Sequence, residues 1–330
     1  MMVILTHHIT SLPNMGAPPV AFFFILSGFS LSLGYRDKIL YGNFKYGNFL
    51  KKRFLKFYTI HWIILLPIVI RQAIGGAMDW TLFPSSFFLI QSFIPIKEFF
   101  YAFNSPSWYL CNTIFYCLLF PFIIRSYCSV SKKRKTHLLC FALCIYIILN
   151  MIIPIDYSLS IYYINPFLRL FDFFVGICLA NLFLYVLGKE KIVNYAKMVA
   201  NKNRYLCIIM ILLIMGVIMT FEPEWRLQCR SFIFWIPIGS LIFFVSLFSQ
   251  MGWRSVLQSK FFVFLGKLSF PFYMFHVPVI WYINKILSLL NIIQNDYTRF
   301  LGTFLVTMFI SFLYNKYIEQ KIINKVLINK

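Results

Sequence analysis

Residues 20–35 read "VAFFFILSGFSLSLGY", a run apolar enough for lipid that carries Ser27, Gly28, Ser30, Ser32 and Gly34 through its middle. A helix made only to dissolve in hydrocarbon would use Leu and Ile throughout, because small residues bury little area. Small residues instead let another backbone approach, so the stretch predicts a membrane helix with something held close against it. Ser27, Ser30 and Gly34 fall on one helical face at i, i+3 and i+7, and that face is expected to admit a second helix or a ligand.

The composition extends this reading to the whole chain. Of 330 residues, 60% are hydrophobic, 20% aromatic and 12% charged, where a soluble domain carries about 25% charged residues. The expected fold class is all-α, a polytopic transmembrane helix bundle forming one membrane domain over residues 1–330. A formal net charge of +21 does not call for nucleic acid, because the Lys and Arg residues cluster in short gaps between apolar runs, as cytoplasmic loops do. Membrane lipid is the expected partner. The eight cysteines fall singly in apolar stretches, without the Cys/His spacing of a zinc site, so no metal is expected.

Windows long enough to cross, about 20 residues at a rise of about 1.5 Å each, occur near 17–35, 54–74, 106–125, 137–155, 162–187, 205–221, 231–249, 268–290 and 297–317. These make nine complete spans. Basic clusters follow Arg36 to Arg53, Arg125 to Lys135, Lys189 to Arg204, Arg254 to Lys260 and Lys316 to Lys330, and all five are expected in the cytoplasm. Keeping the first two on one side requires an even number of crossings between them, so "WTLFPSSFFLIQSFIPI" (80–96) is expected not to span. The opening "MMVILTHHI" then reads as the end of a further span whose cytoplasmic half is missing.

Ionisable groups inside spans are expensive and tend to mark function. Those singled out are His7, His8, His61, Arg169, Asp172 and His276. Arg169 and Asp172, three apart, share a helical face and can pair, either to neutralise two costly charges or to line a polar cavity. Gly176 and Ala180 continue from Asp172 at spacing four, a small stripe suited to close packing.

In order along the chain, "MVILTHH", "VAFFFILSGFSLSLGYR", "FLKKRFLKFYTIHW", "NSPSWYLCNTIFYCLLFPF", "RLFDFFVG", "FLGKLSFPFYMFH" and "YNKYIEQ" resemble the motifs of the acyltransferase 3 family. These are integral-membrane enzymes of ten helices in the family pattern that O-acylate bacterial surface glycans. The sequence departs from the family at Thr113, where many members carry an acid, at Lys56 in place of Arg, and at Thr59 in place of Pro. An Arg that normally lies eleven residues before the catalytic His would precede Met1.

The resemblance implies transfer of an acetyl group from cytoplasmic acetyl-CoA to a hydroxyl of a surface glycan, with His7 as general base and His8 beside it. An imidazole of ordinary pKa, about 6.5, can take a proton at neutral pH. Asp172 is the acid expected to orient it. Arg53, Lys52, Lys56 and Arg169 are the expected contacts of the acyl donor, and Ser27, Gly28, Trp108, Asn112, Tyr273 and His276 the expected substrate or structural lining. The implied setting is the bacterial inner membrane with a cytoplasmic C-terminus. The residues alone leave two alternatives: a transporter or flippase for a glycan or lipid-linked precursor, and an inactive, N-terminally truncated member of the family.

Overall fold

The computed structural model describes residues 17–42, 44–191, 193–194, 208–209, 211–214, 231–250, 258–290 and 296–321. Every regular element among them is helical. The main helices are α1 (Ala17–Leu40), α2 (Tyr46–Ile74), α3 (Phe83–Phe87), α4 (Lys97–Phe100), α5 (Ser107–Ser129), α6 (Lys132–Ile152), α7 (Pro166–Leu187), α8 (Trp235–Gln250), α9 (Lys260–Leu289) and α10 (Asp296–Tyr314). A π-helical stretch leads into α7 (Ser158–Ile164) and another follows α10 (Asn315–Glu319).

Seven helical stretches among the described residues are long and apolar enough to cross a membrane: Pro18–Leu40, Tyr46–Ile74, Ser107–Ser129, Ser158–Leu187, Ser231–Gln250, Lys260–Leu289 and Asp296–Glu319. Each corresponds to an expected span. The window 137–155 is helical within α6, but its apolar part is the shorter Phe141–Ile152, because Lys132, Lys133, Arg134, Lys135 and His137 occupy the first turns. Most of the expected span 205–221 lies outside the described residues. Outward faces carry hydrocarbon, with Ile70, Phe141, Ile236, Phe261 and Phe309 all exposed, as lipid-facing positions require.

Between α2 and α5 no helix is long enough to cross a membrane. Gly75 and Gly76 end α2, Gly76 at φ +68°, and the stretch to residue 106 holds only α3, a 3₁₀ turn at Gln91–Phe93 and α4. None approaches the length a crossing needs.

The chain forms two compact units, one of residues 45–117 with 258–321 and the other of residues 17–44 with 118–250. In the second unit the opening question about residues 20–35 is answered: α7 is the close neighbour of α1. A Cβ added at Gly28 would run into the Phe173 carbonyl and lie 3.2 Å from Ile177 N. One added at Gly176 would run into the Ile25 carbonyl and lie 2.8 Å from Phe29 N. The two glycines face each other's backbones reciprocally, the contact that small-xxx-small packing permits. Ser32 is buried on the same helix, and its hydroxyl donates to the Gly28 carbonyl at 2.8 Å. The packed row is therefore Ala21, Ile25, Gly28 and Ser32. The face predicted from Ser27, Ser30 and Gly34 is not the packed one: Ser30 and Gly34 are exposed, and a methyl on Gly34 would meet nothing within 4 Å. Counting small residues found the right helix and a row beside the packed one, because the serines at 27 and 30 sit on either side of the glycine that matters.

Beside this contact Ala21, Ile25 and Phe29 of α1 meet Ala180 and Phe183 of α7 and Trp235, Ile238 and Ile242 of α8 in one buried cluster. Tyr146 of α6 enters it, its ring 4.9 Å from Trp235 and 6.2 Å from Tyr162 between centroids.

The first unit packs α9 on α10 and on α2. Phe57 meets Phe270, and Phe272 meets Phe304, both with centroids 5.6 Å apart in T-shaped geometry. Thr303, Thr307 and Ser311 form a fully buried row on α10, a second set of small residues at spacing four that brings helices close.

Replacing Gly176 with Ala forces two backbones apart, and overpacking of this kind costs roughly 1–3 kcal/mol; Gly34→Ala meets open space and is expected to cost nothing measurable. Unfolding midpoints of the two variants in detergent check the contrast, and equal midpoints would show that the α1–α7 contact does not hold the unit together.

Candidate functional site

The polar centre of the second unit is built on the start of α7. Asn165 caps the helix, its side-chain oxygen accepting from Phe167 N at 2.9 Å, and Pro166 occupies the first helical position. This fixes Arg169 one turn in, fully buried, with Asp172 fully buried one turn further. Arg169 donates from Nη1 to Asp172 Oδ2 at 2.6 Å and from Nε to the Tyr163 carbonyl at 3.0 Å. Its guanidinium lies 5.0 Å from the Tyr163 ring centroid and 5.9 Å from that of Phe24, within cation–π range. Asp172 Oδ1 accepts from Ser231 Oγ and Trp235 Nε1, each at 2.5 Å. Both carboxylate oxygens are thus engaged. The pair predicted from i, i+3 spacing is present, and the two donors to its far oxygen are residues that the sequence reading did not reach. A buried ion pair needs its remaining lone pairs filled, so polar residues opening another span, here Ser231 and Trp235, are the signal that points to them.

In the first unit, the predicted donor contacts sit on the opening turns of α2. Lys51 is exposed, and Lys52, Arg53 and Lys56 are half-buried. Arg53 lies over the Phe49 ring at 5.5 Å. Lys56 Nζ pairs with Glu319 Oε1 at 2.9 Å and lies 5.3 Å from the Phe270 ring centroid, while Asn315 Nδ2 donates to Glu319 Oε2 at 3.0 Å. The ion pair ties the start of α2 to the π-helical turn after α10, joining two motifs far apart in sequence. Thr59 donates its hydroxyl to the Leu55 carbonyl at 2.6 Å.

A second set of buried polar groups gathers around the broken segment. Trp108 is buried and its carbonyl accepts from Ser92 Oγ at 3.0 Å. Asn112 is fully buried, and Thr113 donates its hydroxyl to the Tyr109 carbonyl at 2.7 Å. Tyr109 and Tyr273 meet in T-shaped geometry at 5.6 Å. The Tyr273 carbonyl accepts from Nδ1 of the buried His276 at 2.5 Å, which leaves Nε2 of His276 as the lone-pair nitrogen of the neutral ring. Asn104 Nδ2 donates to the Met274 carbonyl at 3.3 Å. His61, also buried, donates from Nε2 to the Ser86 carbonyl at 2.8 Å.

The structure therefore brings Trp108, Asn112, Tyr273 and His276 into one unit with Lys52, Arg53 and Lys56, and puts Gly28, Arg169 and Asp172 in the other, with Ser27 half-buried on α1. Gly28 serves packing. His7 and His8 lie outside the described residues. No group of three or more His, Cys, Asp or Glu side chains suited to a metal occurs among the described residues.

The start of α2 carries a run of cations flanking an apolar span. The model of an acyltransferase domain, that of the acyltransferase 3 family, matches residues 1–316. The chain is also 25% identical over 302 residues to the acyltransferase MdmB of Streptomyces mycarofaciens, covering 85% of this chain and 72% of that protein. No solved structure matches it. With a family model spanning all but the last residues, the buried polar centres described above belong to an integral-membrane acyltransferase, a member of the acyltransferase 3 family.

Proposed function

We propose that this acyltransferase is an O-acetyltransferase of the bacterial inner membrane, moving an acetyl group from cytoplasmic acetyl-CoA to a hydroxyl of a surface polysaccharide or related glycan. The observation that carries the reading is the family match over residues 1–316. The Lys56–Glu319 ion pair supports it, because two stretches that resemble separate family motifs meet in one contact. The C-terminus is taken as cytoplasmic on the strength of its lysines.

Acetyl-CoA supplies an activated thioester. Lys52 and Arg53 hold its phosphates, and Lys56, neutralised by Glu319, sets the start of α2 in place for them. His7 removes the proton of the acceptor hydroxyl as that oxygen forms its bond to the thioester carbonyl carbon. The Tyr273 hydroxyl donates to the developing oxyanion. When the carbon–sulfur bond breaks, His7 returns the proton to the departing thiolate, so the acceptor leaves as an ester and CoA as a thiol. Direct transfer of this kind needs no acyl-enzyme.

Asp172, with both oxygens engaged by Arg169, Ser231 and Trp235, anchors the second unit rather than the imidazole. Breaking one side of a buried pair costs about 3–5 kcal/mol, so Asp172→Ala is expected to lower the amount of folded protein and not the rate per folded molecule. A well-folded, inactive Asp172→Ala would return this residue to the catalytic chemistry. Arg53→Ala is expected to raise the KM for acetyl-CoA roughly tenfold, the equivalent of about 1.4 kcal/mol, while leaving the acceptor KM in place; unchanged acetyl-CoA dependence would remove the cluster from the donor site.

The decisive test in cells is alkali-released acetate from the purified surface glycan of a strain with the gene, without it, and without it but carrying His7→Ala. Acetate lost on deletion and restored only by the intact gene is the expected result. Restoration by His7→Ala would exclude His7 as the base, and acetate unaffected by deletion would exclude this glycan as the acceptor.

A further inference from the structure

We propose that the broken segment between α2 and α5 is the acceptor-recognition site, and that Gln91 and Asn104 hold a neutral, polyhydroxylated molecule by taking its hydroxyl hydrogens. This deepens the transfer reading above and rests on it for the identity of the acceptor.

The hydrogen bonds on the page fix which atoms remain. Ser107 donates its single hydroxyl proton to the Asn104 carbonyl at 2.6 Å, so Gln91, 3.0 Å from Ser107 Oγ, faces it with its NH₂ group. That turns Gln91 Oε1 away as an acceptor. The Met274 carbonyl can only accept, so Asn104 faces it with Nδ2 and leaves Oδ1. The Ser86 carbonyl likewise holds the Nε2 proton of His61 and leaves Nδ1. Gln91 Oε1, Asn104 Oδ1 and His61 Nδ1 are all buried and have no hydrogen-bond partner among the described residues, while Gln91, Asn104 and His61 are at most 1% exposed.

Buried acceptors are almost always satisfied in a finished core, and three lie in or against this segment, among others elsewhere in the chain. The backbone is unusual in the same place. Leu89 (φ +54°) and Phe103 (φ +58°) are the non-glycine residues with positive φ among the described residues. Both are buried apolar side chains, for which the left-handed conformation is unfavourable and serves no turn chemistry. Leu89 lies two residues before Gln91 and Phe103 immediately before Asn104. Strained backbone holding unmet polar groups is the pattern of a preorganised ligand site. The segment yields to admit its ligand, and strain at Leu89 and Phe103 lowers the cost of that movement.

The chemistry of the three atoms selects the ligand. Each offers a lone pair and no proton. The fully buried Ser86 Oγ of the same segment, likewise without a hydrogen-bond partner among the described residues, can either give or take a hydrogen. Three of the four groups therefore need donors, and the fourth accepts either. Hydroxyls bring donors; a carboxylate or phosphate would set lone pair against lone pair. The acceptor is therefore a neutral glycan or polyol, bound through hydroxyls next to the one that is acylated.

The test uses the full chain in lipid nanodiscs with labelled acetyl-CoA and alkali-treated, de-esterified surface glycan from cells carrying the gene, neutral and uronate-rich fractions kept separate. Gln91→Met is expected to raise the KM for the neutral fraction at least tenfold and leave the KM for acetyl-CoA within twofold, the uronate-rich fraction being a poor acceptor throughout. Equal shifts in both KM values, or no shift, would overturn the proposal. Should Gln91→Met fail to fold, hydrogen–deuterium exchange of the unmodified protein decides: the neutral fraction must slow exchange across residues 85–107, and no protection there sinks the site. Protection without ester formation would leave the site standing and the transfer reading fallen. Ester formation with neither protection nor a KM shift would do the reverse.

Discussion

The approach of α1 to α7 at Gly28 and Gly176 is the constraint on which the second unit depends. With neither glycine able to accept a Cβ, the two backbones sit closer than any pair of larger residues would allow. Lipid gives helices no hydrophobic reason to associate, so dispersion across such contacts has to do that work. The contact runs alongside the first turns of α7, where Arg169 sits beneath the Phe24 ring of α1. The same approach that packs the helices therefore closes the low-dielectric pocket in which the Arg169–Asp172 pair is held.

Buried polarity follows two different patterns in this protein. Around Asp172 each carboxylate oxygen is filled, and the arrangement looks inward, joining α7 to the start of α8. Around Gln91 and Asn104 the amide donors are spent on the protein and the amide oxygens are left over, with the Ser86 hydroxyl of the same segment also unmet. A membrane interior penalises both unpaired charge and unpaired dipoles. The carboxylate of Asp172 is fully met, although Arg169 Nη2 has no hydrogen-bond partner among the described residues, while around Gln91 and Asn104 the unmet atoms are neutral side-chain oxygens that another molecule can satisfy. Lys56 and Glu319 belong with the first pattern: the charge of each is met by the other, in a segment that the chain reaches only at its far end.

Much of the fold was legible in the sequence because membrane helices announce themselves by length and apolarity. The spans found among the described residues fall where the hydropathy put them, and the charge argument that kept 80–96 from crossing agrees with its broken structure. The pair at 169 and 172 was legible because i, i+3 spacing and the expense of intramembrane charge leave few other outcomes. What spacing could not reveal was the third dimension of each contact. Ser27, Ser30 and Gly34 made as good a small stripe as Ala21, Gly28 and Ser32, and only the partner helix distinguishes them. Ser231 and Trp235 lie about 60 residues from Asp172 in sequence, and nothing local marks Gln91 at all, since its meaning comes from Ser107 having already spent its proton.

These observations describe an enzyme whose catalytic imidazole is proposed on resemblance and whose acceptor site is proposed on unmet hydrogen bonds, both within a family whose members transfer acyl groups. The most direct test is to reconstitute the purified protein in proteoliposomes, supply acetyl-labelled acetyl-CoA on the side of the α2 cations and de-esterified glycan on the other, and follow the label. The account predicts that label appears on the glycan as an alkali-labile ester in step with release of free CoA. Glycan that crosses the membrane unlabelled, with no CoA released, would contradict it.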